Sequence, residues 1–370
     1  MKLGRVRWGV LLALANAGCA TGGSSSYDAP GPVPPIDESV QSPDLLPQVV
    51  FYPRVGNLAD DGWGSTGPGV VLMNDPVGPD SAFKWIHDTV DITRIAGDVV
   101  VLCTRCGDVY SQTIYQLAPF NSVQTVLVPS QSKPSDLELV ASRLETAEVV
   151  YLADGDVADY AAWAGTSIVA AVQAAYDREA VIVGAGRGAA ALGRAVLTTP
   201  VDSTTALSDP YGETITLARG PFSLPAMTGS YVDLNLESTD RFGVLAAMTA
   251  RAIRDGLADT TPADAMGIGL DSHAALALDR FGKVTLLGDD GTSAMAWALR
   301  GADPDQIAAG QPLVWNDAIV ERFDTVDESF ELSAGCGTAF SYPVSIDGSA
   351  SPPYAPADPY DAEGTASPCP

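Results

Sequence analysis

Apolar residues in this chain come in short unbroken runs. The runs are "VVFY" from 49, "GVVLM" from 69, "DVVVLCT" from 98, "SVQTVLVP" from 122, "EVVYLA" from 148 and "AVIVGA" from 180. A strand that is apolar at consecutive positions buries both of its faces, so these runs predict a mostly parallel sheet covered on both sides. Between them lie segments with helical spacing. One helix is expected over 136–147 ("DLELVASRLETA"), and one long helix over 159–178 with Asp159 as its cap. Strands alternating with helices predict an α/β fold, a three-layer sandwich with a doubly wound sheet.

The second half follows the same logic. A helix is expected over 241–257, and two strands over 265–288 around a turn at Gly282. "AIVERFD" and "SFELSA" read as late edge strands. In open parallel sheets, functional groups gather where strands end and helices begin. That directs attention to 154–159 and 184–188.

The two ends of the chain have a different character. Lys2, Arg5 and Arg7 precede a short apolar stretch, followed by "ANAGC" ending at Cys19. This is the layout of a signal peptide over 1–18 with lipidation at Cys19, and it predicts an exported, membrane-anchored bacterial lipoprotein, or otherwise a secreted one. Residues 19–45 are rich in Gly, Ser and Pro and read as a disordered tether. Residues 346–370 have a similar composition and read as a disordered tail, leaving a folded domain over 46–345.

Charge and cysteines narrow the chemistry. The 370 residues carry 46 acidic and 20 basic side chains, a net charge of −26, so nucleic acid is excluded as a partner. Membrane contact is expected only through the lipid anchor. Beyond Cys19 there are Cys103, Cys106, Cys336 and Cys369. With only two histidines in the chain, the Cys103–Cys106 C-x-x-C lacks zinc partners, and no cofactor or metal is expected. A redox pair, a local disulfide and free thiols stay open for it.

The most informative stretch is "VIVGAGRGAAALG" (181–193), a strand running through glycines into an alanine-rich helix. A nucleophile elbow has G-x-S-x-G at such a turn. Here the residues are Gly184-Ala185-Gly186-Arg187-Gly188. Gly184-x-Gly186-x-x-Ala189 also matches a dinucleotide-binding pattern, but it follows a middle strand, and the acid at Asp202 follows a turn.

Four segments together carry a family resemblance. "LADGDVADYAAWAGTSI" (152–168), the elbow, "YVDLNLESTDRFGVL" (231–245) and "MGIGLDSHAALAL" (266–278) occur in order and at suitable spacing. The chain resembles the cyanophycinase-like serine peptidases, whose fold is class I glutamine amidotransferase-like, related to flavodoxin-like sheets. The resemblance implies an elbow serine, a histidine base and an acidic partner acting on aspartyl peptides. In this chain the serine position is Gly186, the histidine position is Asn235, and a site glutamate position is Ser272. The glutamine of the turn at Asp154-Gly155-Asp156 falls on Val157, and an arginine position falls on Thr239. Asp233, Arg241 and Asp271 remain.

A triad without nucleophile and base retains little catalysis. The expectation is therefore a pseudopeptidase serving as a surface-tethered binding or interaction domain. The alternative is a diverged, active hydrolase of aspartyl peptides, with Ser272-His273 as a relocated centre. Adjacent strand residues face opposite sides, which counts against that pair. Arg187, Gly188, Asp154 and Asp156 form a candidate anion site, for a small anionic or peptide ligand. The competing expectation is that Arg187 simply pairs with the aspartates.

Overall fold

The computed structural model describes residues 48–59, 67–90, 97–332 and 335–369. The expected signal peptide, Cys19 and the tether lie outside the described residues. Five parallel strands form the centre: β1 (Gly69–Met73), β2 (Asp98–Cys103), β3 (Ser122–Leu127), β4 (Val149–Leu152) and β5 (Val181–Ala185). They lie in the order β3-β2-β4-β5-β1.

Alternation along each strand divides the core in two. Val71, Met73, Val99, Val101, Tyr151 and Val183 face α1 (Asp80–Val90) and α2 (Tyr110–Leu117), which supply Phe83, Ile86 and Ile114. Val70, Leu72, Val100, Leu102, Leu152 and Ile182 face the opposite way. There α3 (Pro134–Leu144), α4 (Val157–Ala161) and α5 (Ser167–Asp177) contribute Leu137, Val140, Tyr160, Ile168 and Val172. Each such side chain stabilises the fold by roughly 1.5–3 kcal/mol on full burial. This is the α/β architecture the apolar runs imply, with helices on both faces of a parallel sheet.

After α6 (Arg187–Leu192) and α7 (Ser203–Ser208) come β6 (Ser230–Leu234), α8 (Phe242–Arg254) and β7 (Met266–Leu270). β6 and β7 pair in parallel. The strands that follow are antiparallel: β8 (Ala275–Leu278), β9 (Lys283–Leu287), β10 (Ala296–Arg300), β11 (Val314–Phe323), β12 (Ser329–Glu331), β13 (Cys336–Asp347), β14 (Tyr354–Ala355) and β15 (Thr365–Ser367). β8 joins β1, so the antiparallel part continues the central sheet. α8 buries Phe242, Val244, Leu245 and Met248 with Trp297, Leu299, Trp315 and Val320 in a third core cluster.

Four expectations need correction. The helix over 159–178 is two helices, broken at 162–166 where Gly165 takes φ +76°. The segment 265–288 holds three strands, because Asp271–Ala274 turns the chain before the expected turn at Gly282. β11 and β12 are interior strands, each paired on both sides.

The largest correction concerns 346–370. The end of β13 continues through Ile346 and Asp347, β14 and β15 both pair with β13, and Cys369 is disulfide-bonded to Cys336. Tyr360 stacks edge-on against Phe242 and Trp297. Low apolar content predicts disorder when a segment must bury its own surface. Here a covalent link, strand pairing and an existing aromatic surface supply the order instead. The folded unit thus runs past 345, to Cys369 among the described residues.

Candidate functional site

The carboxyl ends of β1, β2, β4, β5 and β6 open onto one cleft of about 770 Å³. β1 contributes Asn74 and Asp75, and the turn after β2 contributes Arg105. β4 is followed by Asp154, Gly155 and Asp156, and β5 by Gly186 and Arg187. β6 and the loop after it contribute Asp233, Asn235, Thr239 and Arg241.

The elbow between β5 and α6 has a geometric requirement. Gly186 sits at φ +54°, ψ −131°, a conformation that L side chains rarely adopt. A Cβ there would lie 2.6 Å from Asp154 Oδ1, 2.8 Å from its Cγ and 2.9 Å from its Cβ. Its neighbours are constrained by close approach. A Cβ on Gly184 would meet Ala189 Cα at 2.5 Å, and one on Gly188 would collide with the Leu152 and Ala153 carbonyls. Gly188 is therefore buried against β4 and does not line the cleft.

The space that a side chain at position 186 would occupy is filled by Asp154. Its Oδ1 accepts the backbone N–H of Arg187 at 2.9 Å. In an elbow hydrolase, the amide after the nucleophile stabilises the developing oxyanion. Here that donor already holds a carboxylate, and a second anion at this point would meet like charge. The Arg187 guanidinium stays mostly exposed, with Nη1 3.4 Å from the Gly155 carbonyl and 3.8 Å from Asp154. Asp156 does not pair with Arg187. It caps α4 through the Ala158 amide and faces Arg105 at 3.3 Å, while Arg105 Nε donates to Asp159 at 2.7 Å.

Several contacts hold this edge in place. The buried Tyr160 hydroxyl donates to the Ala153 carbonyl at 2.5 Å, anchoring the chain just before Asp154. The Cys103–Cys106 disulfide closes the turn that carries Arg105, so of the alternatives left open for the C-x-x-C the chain forms the local disulfide.

Asn235, where the resemblance leads one to expect a histidine, belongs to an amide pair. The Asn235 backbone N–H donates to Asn74 Oδ1 at 2.8 Å, and Asn74 Nδ2 donates back to Asn235 Oδ1 at 3.1 Å. The first bond fixes which end of the Asn74 amide is oxygen. At the cleft floor, Arg241 Nε donates to Asp233 Oδ1 at 2.9 Å, and Asp233 is buried. Burial pushes the Asp233 carboxyl above its usual range, against the opposing pull of Arg241.

Ser272 does not join this cleft. It lies in the turn between β7 and β8, with its amide donating to Asp271 Oδ1. His273 follows in the same turn at φ +64°, so the two residues are not on a strand as expected. The His273 ring is mostly exposed, with Nδ1 3.6 Å from Asp75. No hydrogen bond joins Ser272 to His273 among the described residues. Among the described residues, the lining of the cleft includes no serine, cysteine, histidine or lysine. Its threonine hydroxyls are tied to backbone: Thr198 and Thr239 donate to carbonyls, and Thr199 accepts the Thr216 amide.

Sequence reasoning missed Asn74, Asp75 and Arg105. The rule that singled out 154 and 186, the end of a parallel strand, applies equally to the "LMND" that ends β1.

No family model matches the chain, and no curated protein matches it. Among solved structures, a peptidase from an acI-B1 Actinobacterium is similar at 14% identity, covering 73% of this chain and 98% of that one, with a TM-score of 0.45. A protein from Listeria monocytogenes EGD-e named as a peptidase E is similar at 9% identity, covering 60% of this chain and 100% of its own, with a TM-score of 0.39. At these identities no residue role passes from either protein to this one. No helix among the described residues is long and apolar enough to cross a membrane.

Proposed function

We propose that this protein is a cyanophycinase-like pseudopeptidase, a binding domain on a hydrolase-type scaffold, exported and tethered through Cys19. One observation carries the reading: Asp154 occupies both the space of an elbow side chain and the amide that would stabilise an oxyanion. A nucleophile cannot be restored there by one substitution, and the Asn74–Asn235 pair supplies no base.

The cleft lies within the usual size range of small-molecule sites, roughly 300–1,000 Å³. Asp75, Asp154, Asp156 and Asp233 line it together with Arg105, Arg187 and Arg241. On a chain of net charge −26, this is a nearly balanced patch. Such a lining favours a ligand carrying both charges, such as a short peptide, over a simple anion. Arg187 is the guanidinium with most freedom to turn toward a carboxylate.

Calorimetric titration tests this. Short aspartyl peptides should bind, Arg187→Ala should weaken them about tenfold, and free dicarboxylates should bind less well. Equal binding by wild type and Arg187→Ala, or tightest binding by a dicarboxylate, would overturn the assignment of ligand class.

A further inference from the structure

The loop that carries Asn235, Thr239 and Arg241 into the cleft is held from outside the cleft. Asn235 and Asp240 both have positive φ, at 54° and 50°. Asn and Asp tolerate this conformation better than most residues, but it persists only where the surroundings hold it. The Tyr360 hydroxyl accepts the Phe242 backbone N–H at 2.9 Å and donates to Asp240 Oδ1 at 3.0 Å. One phenol thus holds both the loop's last turn and the first residue of α8.

Tyr360 is itself fixed by a strap formed by residues 354–369. Its ring packs edge-on against Phe242 (5.8 Å) and Trp297 (5.9 Å), both fully buried. Its carbonyl accepts from Trp297 Nε1 and Arg322 Nη1, each at 3.4 Å. Arg322 Nη1 also reaches Asp361 Oδ1 and the Ala362 carbonyl. The strap ends on β15 and the Cys336–Cys369 disulfide, whose Cys369 is exposed to solvent. Among the described residues, no second covalent link ties this end of the chain to the sheet.

We infer that the disulfide-closed C-terminal strap is a redox-sensitive brace of the cleft, with Tyr360 as its positioning residue. Reduction of Cys336–Cys369 by an external dithiol converts the disulfide to two thiols while the dithiol is oxidised. The strap then loosens, Tyr360 withdraws from Phe242 and Asp240, and the 235–241 loop gains freedom. The oxidised protein presents an ordered cleft and the reduced protein a mobile one.

Hydrogen exchange on the full chain tests this without a known ligand. Cys369→Ser removes the closure and leaves Cys103–Cys106 intact. It should speed exchange of the Phe242 amide and of the loop amides by roughly five- to tenfold, the scale of one lost hydrogen bond. Tyr360→Phe keeps the ring and removes only the hydroxyl. It should reproduce the effect at 235–242 while β15 stays protected. Unchanged loop exchange in both variants would overturn the brace. So would a uniform loss of protection through β1–β5 in Cys369→Ser, which would make the disulfide a staple of the whole fold. An equal loop response to Cys106→Ser would overturn the assignment to this disulfide.

Discussion

Gly186→Ser would restore the side chain that the elbow pattern calls for, and the geometry around it sets the cost. The backbone at φ +54°, ψ −131° is unfavourable for any non-glycine residue, by about 1–3 kcal/mol. The new Cβ would also lie 2.6–2.9 Å from three atoms of Asp154. Overpacking of this kind costs typically about 1–3 kcal/mol. Together the substitution should destabilise by about 2–6 kcal/mol. With an unfolding entropy of about 2 cal/mol/K per residue over roughly 300 residues, Tm should fall by about 3–10 °C. The two contributions are separable. Asp154→Ala removes the Oδ1 and Cγ contacts and leaves the one to Cβ, so in the Gly186→Ser background it should recover at least about 1 kcal/mol as coupling. The backbone share should remain. Urea denaturation of the wild type, both single variants and the double variant closes the cycle. A Gly186→Ser cost below about 0.5 kcal/mol, or no coupling to Asp154→Ala, would refute the idea that Asp154 fills the space a side chain at 186 would need.

Other predictions follow from the charges. Arg241→Ala strands the buried Asp233 carboxylate and should cost about 3–5 kcal/mol near pH 7. Because the folded Asp233 pKa is raised, mainly by burial, its contribution favours folding below the unfolded value of 3.8 and is lost as pH rises through the folded value. The gap between Arg241→Ala and wild type should therefore narrow at about pH 4 relative to pH 7 in paired urea melts. Asp202 caps α7 and has the opposite sign. The Thr205 amide, and then its hydroxyl, hold its carboxyl below the usual range, so its stabilisation is present above 3.8 and is lost as pH falls through the folded value. Asp202→Ala should cost about 1 kcal/mol at about pH 6 and much less at about pH 2, by the same melts.

Legibility from the sequence followed burial. The runs that became β1 to β5 were readable because every position in them meets a helix on one face or the other, and a short stretch apolar at every position suits no solvated element. The elbow was readable because its glycines answer to local geometry: a left-handed φ at Gly186, and backbone contacts at Gly184 and Gly188. Nothing local could reveal that Asp154 fills the space beside Gly186, because the two positions lie 32 residues apart and meet only when β4 and β5 pair. The amide pair is hidden in the same way, since Asn74 and Asn235 are far apart in sequence. Ser272 is not among the residues that line the cleft, because it falls in the turn between β7 and β8, which alignment by motif does not register. The C-terminal strap was misread because its order comes from Cys336, Phe242, Trp297 and Arg322, all outside the segment.

The central claim is the absence of peptidase chemistry, and hydrolysis of α- and β-aspartyl peptides by the purified protein tests it most directly. Product release should be no faster than from a boiled control, in the wild type and in Gly186→Ser alike, because a serine at 186 would still lack a base and an open oxyanion donor. Clear turnover by the wild type, abolished by Ser272→Ala or His273→Ala, would contradict the account and move the chemistry to the turn between β7 and β8.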